Sequence, residues 1–343
     1  MIAIIADDFS GAAELAGIAA AHGFKAEVQT EFDPGSDADV IAVDTDTRSK
    51  TEEEASRITG VLTRRIMQRR PQWIYKKTDS VMRGHVRTEI EAILDATGQS
   101  ECLFIPANPS KNRIIAGGRY FVNGMPLDQT LFADDPDFPR RSSVVRDLLG
   151  SSKRIRVPDA GTPVDLEQDL DASTLAAGAA DFFTARLRMH GFKDAPPSTA
   201  VTAPFGDPSV LLLCGSLAAW DCGRADEMRR RGFTVQTTNA PLPPDIWQRT
   251  RKLMLAIGRP PNSDGAILTE QLVEAALPLV TGQENLRIGL EGGATAMAFI
   301  RRTGWTRFEV IPEGHTGVGT LRPPGGPILC VKPGSYAWPE GCL

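Results

Sequence analysis

The chain has 343 residues, 41% of them hydrophobic and 24% charged, with a formal net charge of −5. That length exceeds what one core ordinarily supports, so two domains are expected, and the acidic balance argues against nucleic acid as the main partner. No apolar run approaches the ~20 residues that span a bilayer, the first residues read as a strand rather than a signal peptide, and five scattered cysteines without a C-x-x-C pair point to reduced cytoplasmic thiols and against a structural zinc.

In chain order, residues 2–6 form an apolar run that predicts a buried strand. Asp7, Asp8, Phe9, Ser10 and Gly11 break it, and residues 12–21 predict a helix stopped at His22 and Gly23. One aspartate suffices to cap that helix. The other is available to bind a hydroxyl or a cation, or to act as a base. Residues 40–43 predict the next strand, followed by a polar turn that contains Arg48. Thr51 with Glu54 makes a capping box for a helix over residues 52–69. Arg48 reads equally well as a ligand contact or as a surface cation.

The densest chemistry follows. Residues 73–75 read as the end of a strand. Lys76, Lys77, Thr78, Asp79, Ser80, Arg83 and Gly84 form one turn, and residues 86–96 place Val86, Ile90, Ile93 and Leu94 on one helical face. Two lysines, an aspartate, hydroxyls and an arginine at a strand-to-helix turn suit a small, anionic, hydroxylated ligand at the carboxyl edge of an open sheet. A solvated, capped loop is the plainer reading of this turn taken alone. Residues 102–105 and 155–157 predict further strands, residues 117–127 a hairpin about Asn123-Gly124, residues 132–141 an ordered loop, and residues 144–149 and 175–189 helices. Residues 193–207, rich in proline, are the expected linker.

In the second half, residues 210–214 predict a strand, Gly215-Ser216 a turn and residues 217–231 a helix. Strands are expected at 233–236, 286–290 and 328–331, and helices at 266–280 and 296–302. Gly292, Gly293, Ala294 and Thr295 let a ligand approach the backbone at a helix start, where free N–H groups favour an anion. The alternative there is a tight turn with no ligand. Lys332 and Gly334 offer a second small-residue turn, with Lys332 as a phosphate contact, and His315 and Thr316 lie in a third. No G-x-x-x-x-G-K-[ST], G-x-G-x-x-G, H-E-x-x-H or G-x-S-x-G motif occurs, which sets aside the P-loop, dinucleotide, zincin and hydrolase readings.

In order and spacing, several stretches together resemble one family, the two-domain ATP-dependent kinases of four-carbon sugar acids, formerly catalogued as a domain of unknown function. They are Ala6 to Ala12, Thr47-Arg48, Lys76 to Ser80 with Arg83-Gly84, Gly117-Gly118 with Val122-Asn123-Gly124, Pro158-Asp159-Ala160, Gly215-Ser216, Gly292 to Thr295 and Lys332 to Tyr336. The resemblance implies an α/β fold of two domains, each a largely parallel sheet flanked by helices, with the active site in the cleft between them. Residues 1–195 would bind the sugar acid and residues 208–343 the nucleotide. It further implies Asp7, Asp8, Arg48, Lys76, Lys77, Asp79, Ser80, Arg83 and Gly84 around the substrate, with Asp8, Asp79 and Arg83 catalytic. Ser216, Gly292, Gly293, Ala294, Thr295, Lys332 and Gly334 would hold ATP, and Mg²⁺ would join it through ligands the sequence does not identify. The implied reaction moves the γ-phosphoryl group to the C4 hydroxyl of a tetronate or 3-oxo-tetronate in a cytoplasmic enzyme without membrane or nucleic-acid partners; a homodimer is the assembly held open. Val81, Met82 and His85 depart from the family's usual Thr-Leu and Asn, and the stretch between Val235 and Gly292 is short for the family. A non-catalytic sugar-acid sensor and an aldolase- or dehydrogenase-like enzyme are the rival readings.

Overall fold

Parallel strands buried on both faces dominate the architecture, as continuous apolar runs such as Ile-Ala-Ile-Ile-Ala and Val-Leu-Leu-Leu-Cys dictate. The computed structural model describes residues 1–135, 138–192, 209–238, 242–243, 245–258, 264–281, 285–312, 317–332 and 337–343. The expected linker at 193–207, His315, Thr316 and Gly334 lie outside the described residues. The chain divides into two units, Met1–Ala195 and Pro196–Leu343.

The first unit runs β1 (Ile2–Ala6), α1 (Phe9–Ala21), β2 (Ala26–Gln29), β3 (Val40–Asp44), α2 (Glu52–Met67), β4 (Trp73–Lys77), α3 (Val86–Thr97) and β5 (Glu101–Ile105). It continues with β6 (Arg113–Ala116), β7 (Arg119–Val122), β8 (Met125–Pro126), α4 (Val145–Leu149), β9 (Ile155–Arg156), β10 (Thr174–Gly178) and α5 (Ala180–Met189). Its main sheet has the order β2-β3-β1-β4-β10-β5-β9, with parallel pairings. The chain winds from β1 outward through β2 and β3 on one side, then returns to the other side through β4. The topological switch point therefore falls beside β1, where an open sheet leaves a crevice at its carboxyl edge.

Helix α1 packs on β1, β3 and β4 and against α5, and α2 packs on α3. Trp73 and Tyr75 meet Phe183 of α5 at centroid distances of 5.8 and 5.1 Å. β6, β7 and β8 form a separate antiparallel sheet. Its expected Asn-Gly turn has Asn123 at φ +52° and Gly124 at φ +79°, two successive positive values that match the twist of a two-residue hairpin. The expected helix over 175–189 is in fact strand β10 followed by α5. Ala- and Leu-rich residues suit a helix, but this run is wedged between β4 and β5, where a strand completes both ladders.

The second unit runs β11 (Ser209–Cys214), α6 (Leu217–Asp221), α7 (Arg224–Arg230), β12 (Thr234–Thr237), α8 (Ile246–Arg249), β13 (Lys252–Ala256), α9 (Gly265–Val280), β14 (Leu286–Glu291), α10 (Gly293–Thr303), β15 (Arg307–Val310), β16 (Gly319–Arg322) and β17 (Ile328–Lys332). The strand order is β12-β13-β11-β14-β17-β16-β15. β12, β13, β11, β14 and β17 are parallel, and β16 joins β17 and β15 antiparallel. The switch point lies between β11 and β14. The helix expected over 217–231 is broken into α6 and α7 at Gly223, whose φ of +81° interrupts it.

Candidate active site

Register places the predicted residues of the first unit together. Ala6 pairs with Asp44 and with Lys77, so the turns after β1, β3 and β4 leave the sheet side by side. Asp8 is the residue that caps α1, its Oδ1 accepting from Gly11 N at 2.9 Å. Asp7 faces Arg48 instead. Arg48 Nε donates to Asp7 Oδ2 at 2.7 Å and Nη1 to Asp8 Oδ2 at 3.0 Å, so one guanidinium spans both carboxylates. Gly84, at φ +84°, lets its turn close on this pair: an added Cβ would stand 3.3 Å from Asp7 Oδ2 and 3.4 Å from Arg48 Cγ.

Asp79 and Arg83 form a two-pronged pair, Nε to Oδ2 at 3.0 Å and Nη2 to Oδ1 at 2.8 Å. Asp79 Oδ2 also accepts the backbone N–H groups of Val81 and Arg83. Asp79 thus takes four hydrogen bonds, three on Oδ2 and one on Oδ1. Asp8 takes three, from Gly11, Ser10 and Arg48, and keeps capacity for a ligand hydroxyl. The electrostatics agree. Burial alone would raise both carboxyls, but Arg48 and Lys77 hold Asp8 below its ordinary range, and Arg83 and Arg48 hold Asp79 far below. A carboxylate that strongly stabilised is a poor proton acceptor. Asp79 therefore orients Arg83, and Asp8 is the better candidate to touch a hydroxyl.

The cations differ in what remains uncommitted. Among the described residues Arg48 Nη2 makes no hydrogen bond, and its side chain is 21% exposed. Arg83 is 29% exposed and sends Nη1 to Asp135 at 3.3 Å. Lys76 and Lys77 were both expected at the ligand, but adjacent strand residues point to opposite faces. Lys77 turns toward α1, where Glu14 stands 3.4 Å from its Nζ and Lys111 holds the same carboxylate at 2.9 Å. Lys76 turns toward α3 and is fully buried against Glu89 at 2.6 Å. Glu89 also accepts from the hydroxyl of Thr47, next to Arg48. Lys76 therefore stiffens the Arg48 turn from behind rather than facing a ligand. Ser80 is likewise engaged, accepting from Arg113.

Several participants had escaped the sequence reading: Glu14, Asp44, Glu89, Arg113 and Asp135. Glu14 had a signal, as the lone acid in the otherwise apolar α1, and Glu89 had another, lying one residue before Ile90 on the apolar face of α3. Asp44, the last residue of β3, is buried. Its burial, aided by Asp8, Asp46 and Asp7, pushes its carboxyl well above the usual range, against the Asp46 N–H bond at 2.8 Å.

In the second unit Cys214 pairs with Glu291 and Glu291 with Lys332, so the turns carrying Ser216 and residues 292–295 are again neighbours at a switch point. Ser216 Oγ accepts from Ala219 N at 3.2 Å at the start of α6. Gly292 sits at φ +105° before α10, which begins without a side-chain cap. Gly215 abuts Thr295 so closely that an added Cβ would overlap its Oγ1 and stand 3.2 Å from its Cβ. A glycine turn at an uncapped helix start is chemically suited to an anion. Lys332 was expected to meet a phosphate; it is fully buried, with Nζ 2.6 Å from Glu291 Oε1. Among the described residues no three His, Cys, Asp or Glu side chains gather to hold a metal ion, and no helix is long and apolar enough to cross a membrane.

Each unit of this α/β protein thus carries a cluster of turns at its switch point, one rich in carboxylates and guanidinium groups and one rich in glycine. Residues 2–185 match the sugar-binding N-terminal domain model. The chain is 35% identical to the D-erythronate kinase of Heliobacterium modesticaldum, over 95% of this chain and 83% of that one. It is 28% identical to the D-threonate kinase of Cupriavidus necator, over 97% and 94%. A solved Haemophilus influenzae protein, HI1011, shares the fold with a TM-score of 0.72 at 18% identity, over 98% of this chain and 97% of that one. The chain belongs to the family of four-carbon acid sugar kinases.

Proposed function

We propose that this protein is an ATP-dependent kinase that phosphorylates the terminal hydroxyl of a four-carbon sugar acid, a tetronate or 3-oxo-tetronate. The observation that carries the reading is the convergence of Asp8, Arg48 and the Asp79–Arg83 pair at one switch point. Full-length kinase relatives support it. The first unit binds the acid and the second the nucleotide.

The substrate carboxylate is taken by guanidinium N–H groups not already committed, those of Arg48 Nη2 and the remaining donors of Arg83. Asp8 accepts the hydrogen bond of the reacting hydroxyl through its spare acceptor position, which aims the oxygen at the γ-phosphorus. As the new O–P bond forms, the bond from γ-phosphorus to the β–γ bridging oxygen breaks, ADP departs with that oxygen, and the hydroxyl proton passes to Asp8. A loose transition state asks little of the base and much of positioning, so Asp8 serves mainly by orienting the hydroxyl, its carboxyl being less depressed than that of Asp79. Ser216 and residues 293–295 at the start of α10 receive the phosphates by backbone N–H groups, while Gly292 gives its own N–H to Lys332 O. Mg²⁺ brought with ATP would neutralise phosphate charge; among the described residues no three His, Cys, Asp or Glu side chains gather to hold it, and this ion ordinarily takes only one or two carboxylates beside phosphate oxygens and water.

An ADP-release assay with ATP–Mg²⁺ over a panel of erythronate, threonate and 3-oxo-tetronate stereoisomers tests the reading. Acceptor-dependent ADP release is expected with at least one member. Release with none, from folded protein, would refute it.

A further inference from the structure

Glu291 has no part in the transfer just described, yet it is a charged group buried at the end of the strand that leads into the second turn cluster. It ends β14 and is fully buried. Its Oε1 meets Lys332 Nζ of β17 at 2.6 Å and Arg224 Nε of α7 at 3.0 Å. The Lys332 ammonium also lies 5.0 Å from the centroid of the Trp338 ring. Burial lowers the Lys332 pKa while Glu291 opposes the shift, and the Cys214 thiol on the neighbouring strand is pushed up, by burial first and Glu291 second.

One carboxylate thus ties together β14, β17 and α7. The very next residue is Gly292, whose N–H donates to the Lys332 carbonyl at 2.9 Å and from which α10 springs. Buried charges contribute little net stability compared with a well-packed apolar set. Their directional hydrogen bonds do fix orientation, which an apolar set does less well.

We infer that Glu291 is a positioning residue for the nucleotide. Through Lys332 and Arg224 it holds the 292–295 turn and the start of α10 in the geometry that receives phosphate oxygens. Lys332, on this account, acts through Glu291 and not by touching the triphosphate. The inference rests on the proposal that the second unit binds ATP.

The test uses full-length protein and titration calorimetry with ATP–Mg²⁺ and with adenosine. Glu291→Gln alone removes the carboxylate that faces the buried Lys332 ammonium and can fail to fold. The decisive variant is therefore Glu291→Gln/Lys332→Met, which removes one charge of each sign and leaves Arg224 paired with Glu227. Charge-assisted hydrogen bonds to phosphate depend on geometry, and the double variant is expected to bind ATP–Mg²⁺ at least about tenfold more weakly. Adenosine affinity should be unchanged, since only phosphate contacts are disturbed; a general packing defect would weaken both. A folded double variant with wild-type ATP affinity, or with equal losses for ATP and adenosine, overturns the inference alone. Wild-type protein that binds no ATP–Mg²⁺ overturns the nucleotide proposal and this inference with it.

Discussion

Replacing Arg48 by methionine keeps much of the side-chain stem and removes the charge that joins Asp7 to Asp8. At 2.7 Å from Asp7, the gross attraction is about 6 kcal/mol at an effective dielectric near 20. Most of that offsets the desolvation of the two charges. The Asp7 side chain is only 3% exposed, so water cannot replace the lost partner. Breaking a buried pair from one side costs about 3–5 kcal/mol, and that is the expected destabilisation of the first unit at pH 7.5. Asp7→Asn in the same chain removes the stranded charge and should recover most of the loss. Asp8 adds a pH signature. Its folded-state pKa is depressed, so its contribution is present above the ordinary carboxylate pKa of ~3.8–3.9 and is lost as pH falls through the folded value. Arg48 is the leading cause of that depression, so Arg48→Met should differ from wild type most near neutrality and progressively less below pH ~4. Hydrogen exchange of peptides covering Ile2–Ala6 and Val40–Asp44 reads the local free energy directly. A loss below ~1 kcal/mol, or no recovery with Asp7→Asn, would show that the Arg48 bridge is a surface ion pair and that the derivation of the site from it is wrong.

Asp8→Asn should lower kcat by about 10²–10⁴-fold with a smaller change in the KM for the sugar acid. Asp79→Asn should instead raise that KM, as should Arg83→Ala, and the two combined should cost little more than either; initial-rate kinetics separate these outcomes. Gly215→Ala should destabilise the second unit by about 1–3 kcal/mol through overpacking against Thr295. Thr295→Ala in the same chain should relieve most of this, as a double-mutant cycle by denaturant unfolding would show. Asp44→Asn keeps the acceptor for Asp46 N–H and removes a carboxyl whose folded pKa is raised by burial. A raised acid pKa erodes stability as pH climbs above the unfolded value, so the variant should gain stability at pH 8 and lose that advantage toward pH 4 in thermal melts.

The fold was legible where hydrophobic runs and glycine stops were unambiguous. β1, α1, β3, the capped start of α2 and the Asn123-Gly124 hairpin all follow from local pattern. β10 was hidden because Leu-Ala-Ala-Gly carries no period of its own; only its neighbours β4 and β5 decide its state. β2 and β13, segments of four and five residues, were likewise unread. For the site, turns after parallel strands announced themselves by composition, since polar residues between apolar runs have few other uses. Which residue pairs with which did not, because Arg48 reaching back to Asp7 and Asp8 requires β1 and β3 to be adjacent in the sheet.

The counter-charges were the least visible part, and the reason lies in strand geometry. β4 ends in two lysines, and the alternation of side chains sends them to opposite faces. Each face is covered by a helix, and a buried ammonium is tolerated only where a carboxylate meets it. So each covering helix must spend one inward position on an acid: Glu14 of α1 for Lys77, Glu89 of α3 for Lys76. The same rule returns in the second unit, where Lys332 ends β17 and Glu291 ends the adjacent β14. A lysine at the buried end of a parallel strand is therefore as much a statement about its covering neighbour as about a ligand. On the proposed function, the residues that meet ligand are those left over once these internal pairs are made: Asp8, Arg48, Arg83 and the glycine turns.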